Sequence, residues 1–193
     1  MSRLQTAVDR FIEISGDRTG ELGESINTGL VWIGGNKVVC IADSRETEHR
    51  TPASWRRASR IIGVARQLRK PLLLWNLSFH SGTGQTPNLA AEQAARDGQQ
   101  DIIQFPFGII SVIEDAQKNA FSTVELALPD GIVFVDGAET LCGHLTISPR
   151  TVGASSAEDV ASGISELLVQ IASIPADELV SQRRTRLASI TLS

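Results

Sequence analysis

Arg69-Lys70-Pro71-Leu72-Leu73-Leu74-Trp75 decides the fold. Two basic residues and a proline end one element, and four large apolar residues follow without a polar interruption. Such a run is too short for a helix and lacks the alternation of a half-exposed strand. It therefore reads as a strand buried on both faces, the kind found in parallel sheets. Upstream, Trp55, Ala58, Ile62, Ala65 and Leu68 recur at helical spacing, predicting a helix over about 53–69 whose other face carries Arg56, Arg57, Arg60, Arg66 and Arg69. Ser54 is the expected cap, after a polar loop over 43–54 that includes Pro52.

Downstream the same rhythm repeats. An Ala-rich helix is predicted over 89–104, a buried strand over 108–113, a helix over 116–128 and a strand over 132–135. Strands separated by helices imply parallel pairing through right-handed crossovers. Ahead of this region, Thr28–Trp32 and Lys37–Ala42 flank Gly34-Gly35-Asn36, a hairpin signal. Leu4, Ala7, Val8, Phe11 and Ile12 predict an amphipathic helix over 3–13. Two helices close the chain over 157–172 and 175–189, the first capped by Ser155 or Ser156 and the second opened by Pro175 with Asp177 and Glu178 in its first turn. The expectation is one α/β domain over 1–193 with a helical tail over about 155–190.

Composition narrows the function. The 193 residues are 41% hydrophobic and 21% charged, ordinary for a globular chain, and the net charge of −4 argues against a nucleic-acid binder. No stretch approaches the ~18 apolar residues of a membrane span, and Arg3, Asp9, Arg10 and Glu13 make the first fifteen residues unlike a secretory signal. Cys40 and Cys142 are too few for a disulfide scaffold and read as reduced core thiols of a cytoplasmic protein. His49, His80 and His144 show no metal-ligand spacing, so no metal is expected. Trp32, Trp55 and Trp75 read as core, and the chain has no tyrosine to serve as a general acid.

In open parallel sheets, sites lie beyond the carboxyl ends of the strands. After Trp75 comes Leu77-Ser78-Phe79-His80-Ser81-Gly82-Thr83-Gly84. His80 is the histidine best placed to move a proton near neutral pH, with Ser78 and Ser81 as hydroxyls it can orient or as donors to an oxyanion, and Ser81 and Gly82 are the candidate substrate contacts of this loop. After Ile113 comes Glu114-Asp115, a carboxylate pair able to supply a base and an acid; alternatively Asp115 caps the next helix. Lys118 neutralises the pair, holds a substrate carboxylate, or is simply solvated. Arg45 and Arg56, with Arg50 and Arg57, suit phosphate through their planar fork, or form a solvated face.

Four segments carry a family resemblance. Phe11-Ile12-Glu13-Ile14-Ser15-Gly16-Asp17-Arg18 resembles the "FxELHGDR" segment of the carboxyltransferase alpha subunit of bacterial acetyl-CoA carboxylase. Pro52-Ala53-Ser54-Trp55-Arg56-Arg57-Ala58 resembles its "PEGYRKALR", and Arg69-Lys70-Pro71-Leu72-Leu73-Leu74 its "PIIT" strand. The tail Ser173-Ile174-Pro175-Ala176-Asp177-Glu178-Leu179, continuing through Val180-Ser181-Gln182-Arg183-Arg184, resembles its closing "LSPEELLxxRYxKFRxIG" helix. The order is that of the family. The resemblance implies a crotonase-like (ClpP-like) spiral of ββα units with C-terminal helices. It also implies enolate stabilisation on an acyl thioester, with CoA or pantetheine as the substrate arm, no permanently bound cofactor, and a homo-oligomer or a hetero-oligomer with a beta-like carboxyltransferase subunit in fatty-acid or polyketide-type metabolism.

The departures shape the expected chemistry. Phe79-His80 stands where the family's "DTPGAYPG" has Pro-Gly, and Glu114-Asp115-Ala116-Gln117-Lys118-Asn119-Ala120 replaces the glycine-rich "GEGGSGGA". Side chains then crowd backbone donors that glycines would leave open. The alternatives are a biotin-independent decarboxylase or other crotonase-type enzyme, and a non-catalytic scaffold for a beta-like partner.

Overall fold

The structure, a computed structural model, describes residues 3–15, 25–43, 51–79, 89–114, 121–137, 141–142 and 145–190. Its elements run α1 (Arg3–Ala7), β1 (Arg10–Glu13), β2 (Ile26–Ile33), β3 (Asn36–Asp43), α2 (Pro52–Leu68), β4 (Leu72–Trp75), α3 (Leu89–Ile103), β5 (Ile109–Ile113), α4 (Thr123–Ala127), β6 (Gly131–Val135), β7 (Arg150–Ala154), α5 (Ala157–Ala172) and α6 (Ala176–Ile190). The strands form one seven-stranded sheet in sequence order. The β1–β2 and β2–β3 pairs are antiparallel, and β3 through β7 are parallel.

The sheet is covered on both sides, as its unbroken apolar strands require. Val39, Ile41, Leu72, Leu74 and Ile109 face α2 and α3 through Ala58, Ile61, Ile62, Ala95 and Ile102. Val38, Cys40, Leu73, Trp75, Ile110, Val112 and Val133 face the other way, against Leu4 and Ala7 of α1 and Val160, Ile164, Leu167 and Ile171 of α5. The β2–β3 hairpin turns on Gly34 and Gly35, both at positive φ (53° and 78°), the type I′ geometry that matches strand twist.

Several sequence expectations need correction. The apolar period over 3–13 breaks after Ala7, and Arg10–Glu13 is an edge strand with Phe11 opposite Val31 and Ile12 opposite Leu30. Aromatic and β-branched residues gain more there by pairing with the hairpin than by extending a helix. Pro52 belongs to α2 rather than to the preceding loop, because a proline at the first helical position removes a donor that lacks a partner anyway. The cap is Thr51, whose side chain accepts from the Ser54 amide; Ser54 itself is buried, its hydroxyl 2.8 Å from that of Ser25. Arg57 leaves the basic face: it is buried, and its guanidinium donates to Thr28 Oγ1 (3.0 Å) and Glu13 Oε1 (2.7 Å). The helix expected over 116–128 is described only from Thr123, where a reciprocal Ser122–Glu125 capping box starts it. Pro175 precedes α6 rather than opening it. Strand β7 was not expected, since Arg150-Thr151-Val152-Gly153-Ala154 lacks an apolar run; as an edge strand it buries only part of one face. Trp55 and Trp75 are core, but Trp32 is half-buried, with Arg10 and Lys37 lying 5.2 and 4.9 Å from its ring centre.

Helix α6 is fixed to the sheet by charge. Asp130, fully buried ahead of β6, accepts from Arg183 Nε at 2.9 Å and Arg186 Nη2 at 3.1 Å, and from the Ile109 amide at 3.0 Å. Arg183 also donates to the carbonyls of Phe105 and Phe107, and Arg186 to those of Ala127 and Pro129. Every oxygen of the buried carboxylate is thereby used, which is the condition for a buried ion pair to be tolerated.

Candidate functional site at the carboxyl edge of the sheet

Strands β3 to β6 point their carboxyl ends at one edge, where residues 44–50, 80–88, 115–120 and 138–140 follow them in the chain. What the structure describes there is a brace between β4 and β5. Trp75 stands opposite Val112 in the parallel register, and Asn76 extends the ladder by donating its amide to the Val112 carbonyl at 2.9 Å. Asn76 sits at φ 51°, the left-handed region that asparagine tolerates better than most residues. That turn aims its side chain sideways: Oδ1 accepts the Glu114 amide at 2.7 Å, and Nδ2 donates to Glu114 Oε2 at 3.0 Å. The Trp75 indole donates to the same oxygen at 3.0 Å. The ends of two adjacent strands are thus locked by one asparagine, one indole and one carboxylate.

A second brace lies one step further along. Glu125 is buried; its Oε2 accepts the Ser122 amide at 2.7 Å and its Oε1 accepts the Phe79 amide. One carboxylate therefore closes the capping box of α4 and pins the chain leaving β4. The Phe79 ring stacks on Trp55 of α2, centroids 5.1 Å apart and planes 12° apart. Phe79 and Ser122 line a cleft of 370 Å³ with Ala95, Arg96, Gln99, Glu92 and Val124, between α3 and α4. Its size suits a small ligand or a substrate arm.

Of the residues singled out from the sequence, Glu114 and Ser78 lie at this edge, and Ser78 is buried at 8% exposure. Arg56 is exposed on the first turns of α2. His80, Asp115, Ser81, Gly82, Arg45 and Lys118 lie outside the described residues, as do His49 and His144. Of the residues that organise the edge, Trp75 is marked in the sequence only as core, and Asn76 and Glu125 are not marked as site residues. The Ser122-Thr123-Val124-Glu125 spacing is a capping-box signal and was readable. Nothing local marks Asn76, whose role depends on which strand lies alongside.

The arrangement supplies rigid strand ends, in which the amides of Asn76, Phe79 and Glu114 and the carboxylates of Glu114 and Glu125 already bond to one another or to the neighbouring strand. Burial pushes the Cys40 thiol up to about 12 and raises Cys142 as well, so neither is an activated nucleophile. Among the described residues no group of three or more His, Cys, Asp or Glu side chains can hold a metal, and no helix is long and apolar enough to cross a membrane.

No protein-family model and no curated protein matches the chain. Solved structures do. The beta subunit of Pseudomonas aeruginosa geranyl-CoA carboxylase matches with a TM-score of 0.60 at 15% identity, over 86% of this chain and 38% of that subunit. Transcarboxylase 12S, with methylmalonyl-coenzyme A and methylmalonic acid bound, gives 0.55 at 13% identity over 86% of this chain and 40% of its own. A chain of the Pseudomonas malonate decarboxylase hetero-dimer gives 0.55 at 12% identity, over 96% of this chain and 92% of that one. The chain spans less than half the length of the carboxylase and transcarboxylase chains but nearly all of the decarboxylase chain. The likeness to the acetyl-CoA carboxylase alpha subunit rests on the motifs alone. The chain has the α/β fold of the crotonase-like carboxyltransferases.

Proposed function

We propose that this chain is a subunit of a carboxyl-transferring or decarboxylating enzyme. On this reading it holds an acyl thioester, on CoA or a carrier-protein pantetheine, at the carboxyl edge of the sheet. The observation that carries the proposal is the near end-to-end match to a chain of a hetero-dimeric decarboxylase; the braced strand ends at the carboxyl edge support it as the edge proposed to hold the substrate. In decarboxylation the bond from the α-carbon to the carboxylate breaks and its electron pair passes to the thioester as an enolate. Backbone N–H groups of the segments that follow β4 and β5 are the proposed donors to the oxyanion, and an acid then protonates the α-carbon. His80 is the acid proposed here, with Asp115 as its counterpart and Ser78, Ser81 and Gly82 around the carbonyl. Arg45, Arg56 and Lys118 are proposed to hold the phosphates and carboxylate of the arm.

Biotin-independent decarboxylation is favoured over biotin-dependent transfer by the glycine-free segment Glu114–Ala120. The same segment favours, as a second reading, a non-catalytic scaffold for a beta-like subunit. The test is malonyl-thioester decarboxylation by the chain together with whatever subunit co-purifies with it. For the catalytic reading, His80→Ala lowers the rate by about 10² to 10⁴ with the melting temperature unchanged. If that variant and Asp115→Asn both keep full activity in the complex, the scaffold reading replaces the catalytic one.

A further inference from the structure

Among the described residues, the opposite edge of the sheet carries a surplus of positive charge. Arg150 opens β7 at its amino end, about 13 Å along the strand from Ala154, and its amide donates to the Asp130 carbonyl at 3.3 Å. Arg150 and Arg186 line a cavity of 440 Å³ with Ser148, Ser181, Gln182 and Thr185, and no carboxylate is among the lining residues. Arg186 is 4% exposed. Its Nε and Nη2 are committed to the Ala127 and Pro129 carbonyls and to Asp130, and its Nη1 makes no hydrogen bond among the described residues. The Arg150 guanidinium has no ion-pair partner among them either.

Arg183 and Arg186 share the one carboxylate of Asp130, and Arg150 lines the same cavity as Arg186, so among the described residues these three guanidiniums exceed their carboxylate partners by two positive charges. Burial lowers the Arg186 guanidinium from its ordinary value; Asp130 opposes that, and Arg183 and Arg150 add to it. Cations gathered this closely are stabilised by an anion of matching charge. Guanidinium donors beside serine and threonine hydroxyls are the groups that bind tetrahedral oxyanions, and a phosphate dianion equals the surplus.

We propose that the cavity between the amino end of β7 and α6 is a binding site for the phosphate group of a small phosphate monoester. Arg186 Nη1 and Arg150 hold the dianion, the hydroxyls of Ser148 and Ser181 complete its coordination, and the remaining volume takes the organic part; the Thr185 hydroxyl donates instead to the Ser181 carbonyl at 3.0 Å. The site lies at the amino end of the strands, away from the carboxyl edge, and does not depend on the function proposed above.

Isothermal titration with inorganic phosphate, glycerol phosphate and acetate, at constant ionic strength, tests it. Expected is saturable one-to-one binding of both phosphates, tighter for the monoester, with no competition from acetate. Arg150→Gln, at a half-buried position outside the Asp130 cluster, weakens phosphate binding about tenfold or more and leaves the ligand-free melting temperature unchanged. Ser181→Ala weakens binding less. Absence of saturable phosphate binding, or binding unchanged in Arg150→Gln, overturns the site. Glycerol phosphate binding no tighter than inorganic phosphate overturns the monoester.

Discussion

Asn76 concentrates more geometry than any other residue at the carboxyl edge. Its left-handed backbone, its amide on Val112 and its two side-chain bonds to Glu114 all depend on one another. Alanine at this position keeps the unfavourable φ and loses the bonds that compensate it. Asn76→Ala is therefore expected to cost about 2–3 kcal/mol in urea denaturation. Asn76→Gly, which relieves φ, is expected to cost less, so the difference between the two variants reads the backbone contribution. Glu13 gives a pH dependence with a definite sign. The hydrogen bond from Arg57 lowers its carboxyl below 4.5, a hydrogen bond from Ser15 adds to this, and slight burial opposes it. A carboxyl lowered on folding stabilises the native state above its unfolded value, and the gain is lost as pH falls through the lowered folded value. Because Glu13 is half-exposed, the gain is under about 1 kcal/mol. A fall in the stability advantage of wild type over Glu13→Gln between pH 7 and pH 3 checks it.

At the scale of elements, the edge strand β1 is held by a close approach that admits no side chain. A Cβ on Gly29 would lie 2.4 Å from the Ile12 carbonyl oxygen and 2.9 Å from the Phe11 ring. The ring can turn, but the carbonyl belongs to the backbone, so the strand itself must move. Gly29→Ala is expected to cost about 1–3 kcal/mol and to expose the amides of Asp9 and Ile14, which bond to Trp32 and Thr28. Hydrogen exchange at those two amides reads the displacement directly; protection kept at the wild-type level would contradict it. This strand also shows where sequence reading stops. Leu72–Trp75, Ile109–Ile113 and α5 were legible because long apolar runs and 3.6-residue periods fix buried strands and amphipathic helices by themselves. Arg10–Glu13 and Arg150–Ala154 were not, because an edge strand takes its conformation from the neighbour it pairs with. The site divides likewise. The carboxyl edge followed from the strand order and Glu114 from its position, whereas the bonds of Asn76 and Trp75 to Glu114 and of Phe79 to Glu125 join residues 38 to 46 positions apart in the chain.

At the scale of the molecule, the question is whether the C-terminal helices are an appendage or part of the fold. Helix α5 covers one face of the sheet with Val160, Ile164, Leu167 and Ile171, burying Trp75 beneath it. Helix α6 has little apolar surface of its own, with Leu179 its buried aliphatic residue, and is held chiefly by Arg183 and Arg186. Those arginines bond to Asp130 and to the carbonyls of Phe105, Phe107, Ala127 and Pro129, in the segments that lead into β5 and β6. The helix and the central strands therefore share their polar satisfaction, and neither can open without stranding buried groups of the other. Arg183→Ala leaves Asp130 with one arginine and removes the donors to the buried Phe105 carbonyl and the partly buried Phe107 carbonyl. The expected loss is about 3–5 kcal/mol, and the expected form is a single transition at lower urea, with tryptophan fluorescence and far-ultraviolet circular dichroism coinciding. Trp55 and Trp75 report from opposite faces of the sheet, so fluorescence follows both layers at once. Helical signal lost before the fluorescence change would mean that α6 releases on its own, making the arginine cluster a local latch.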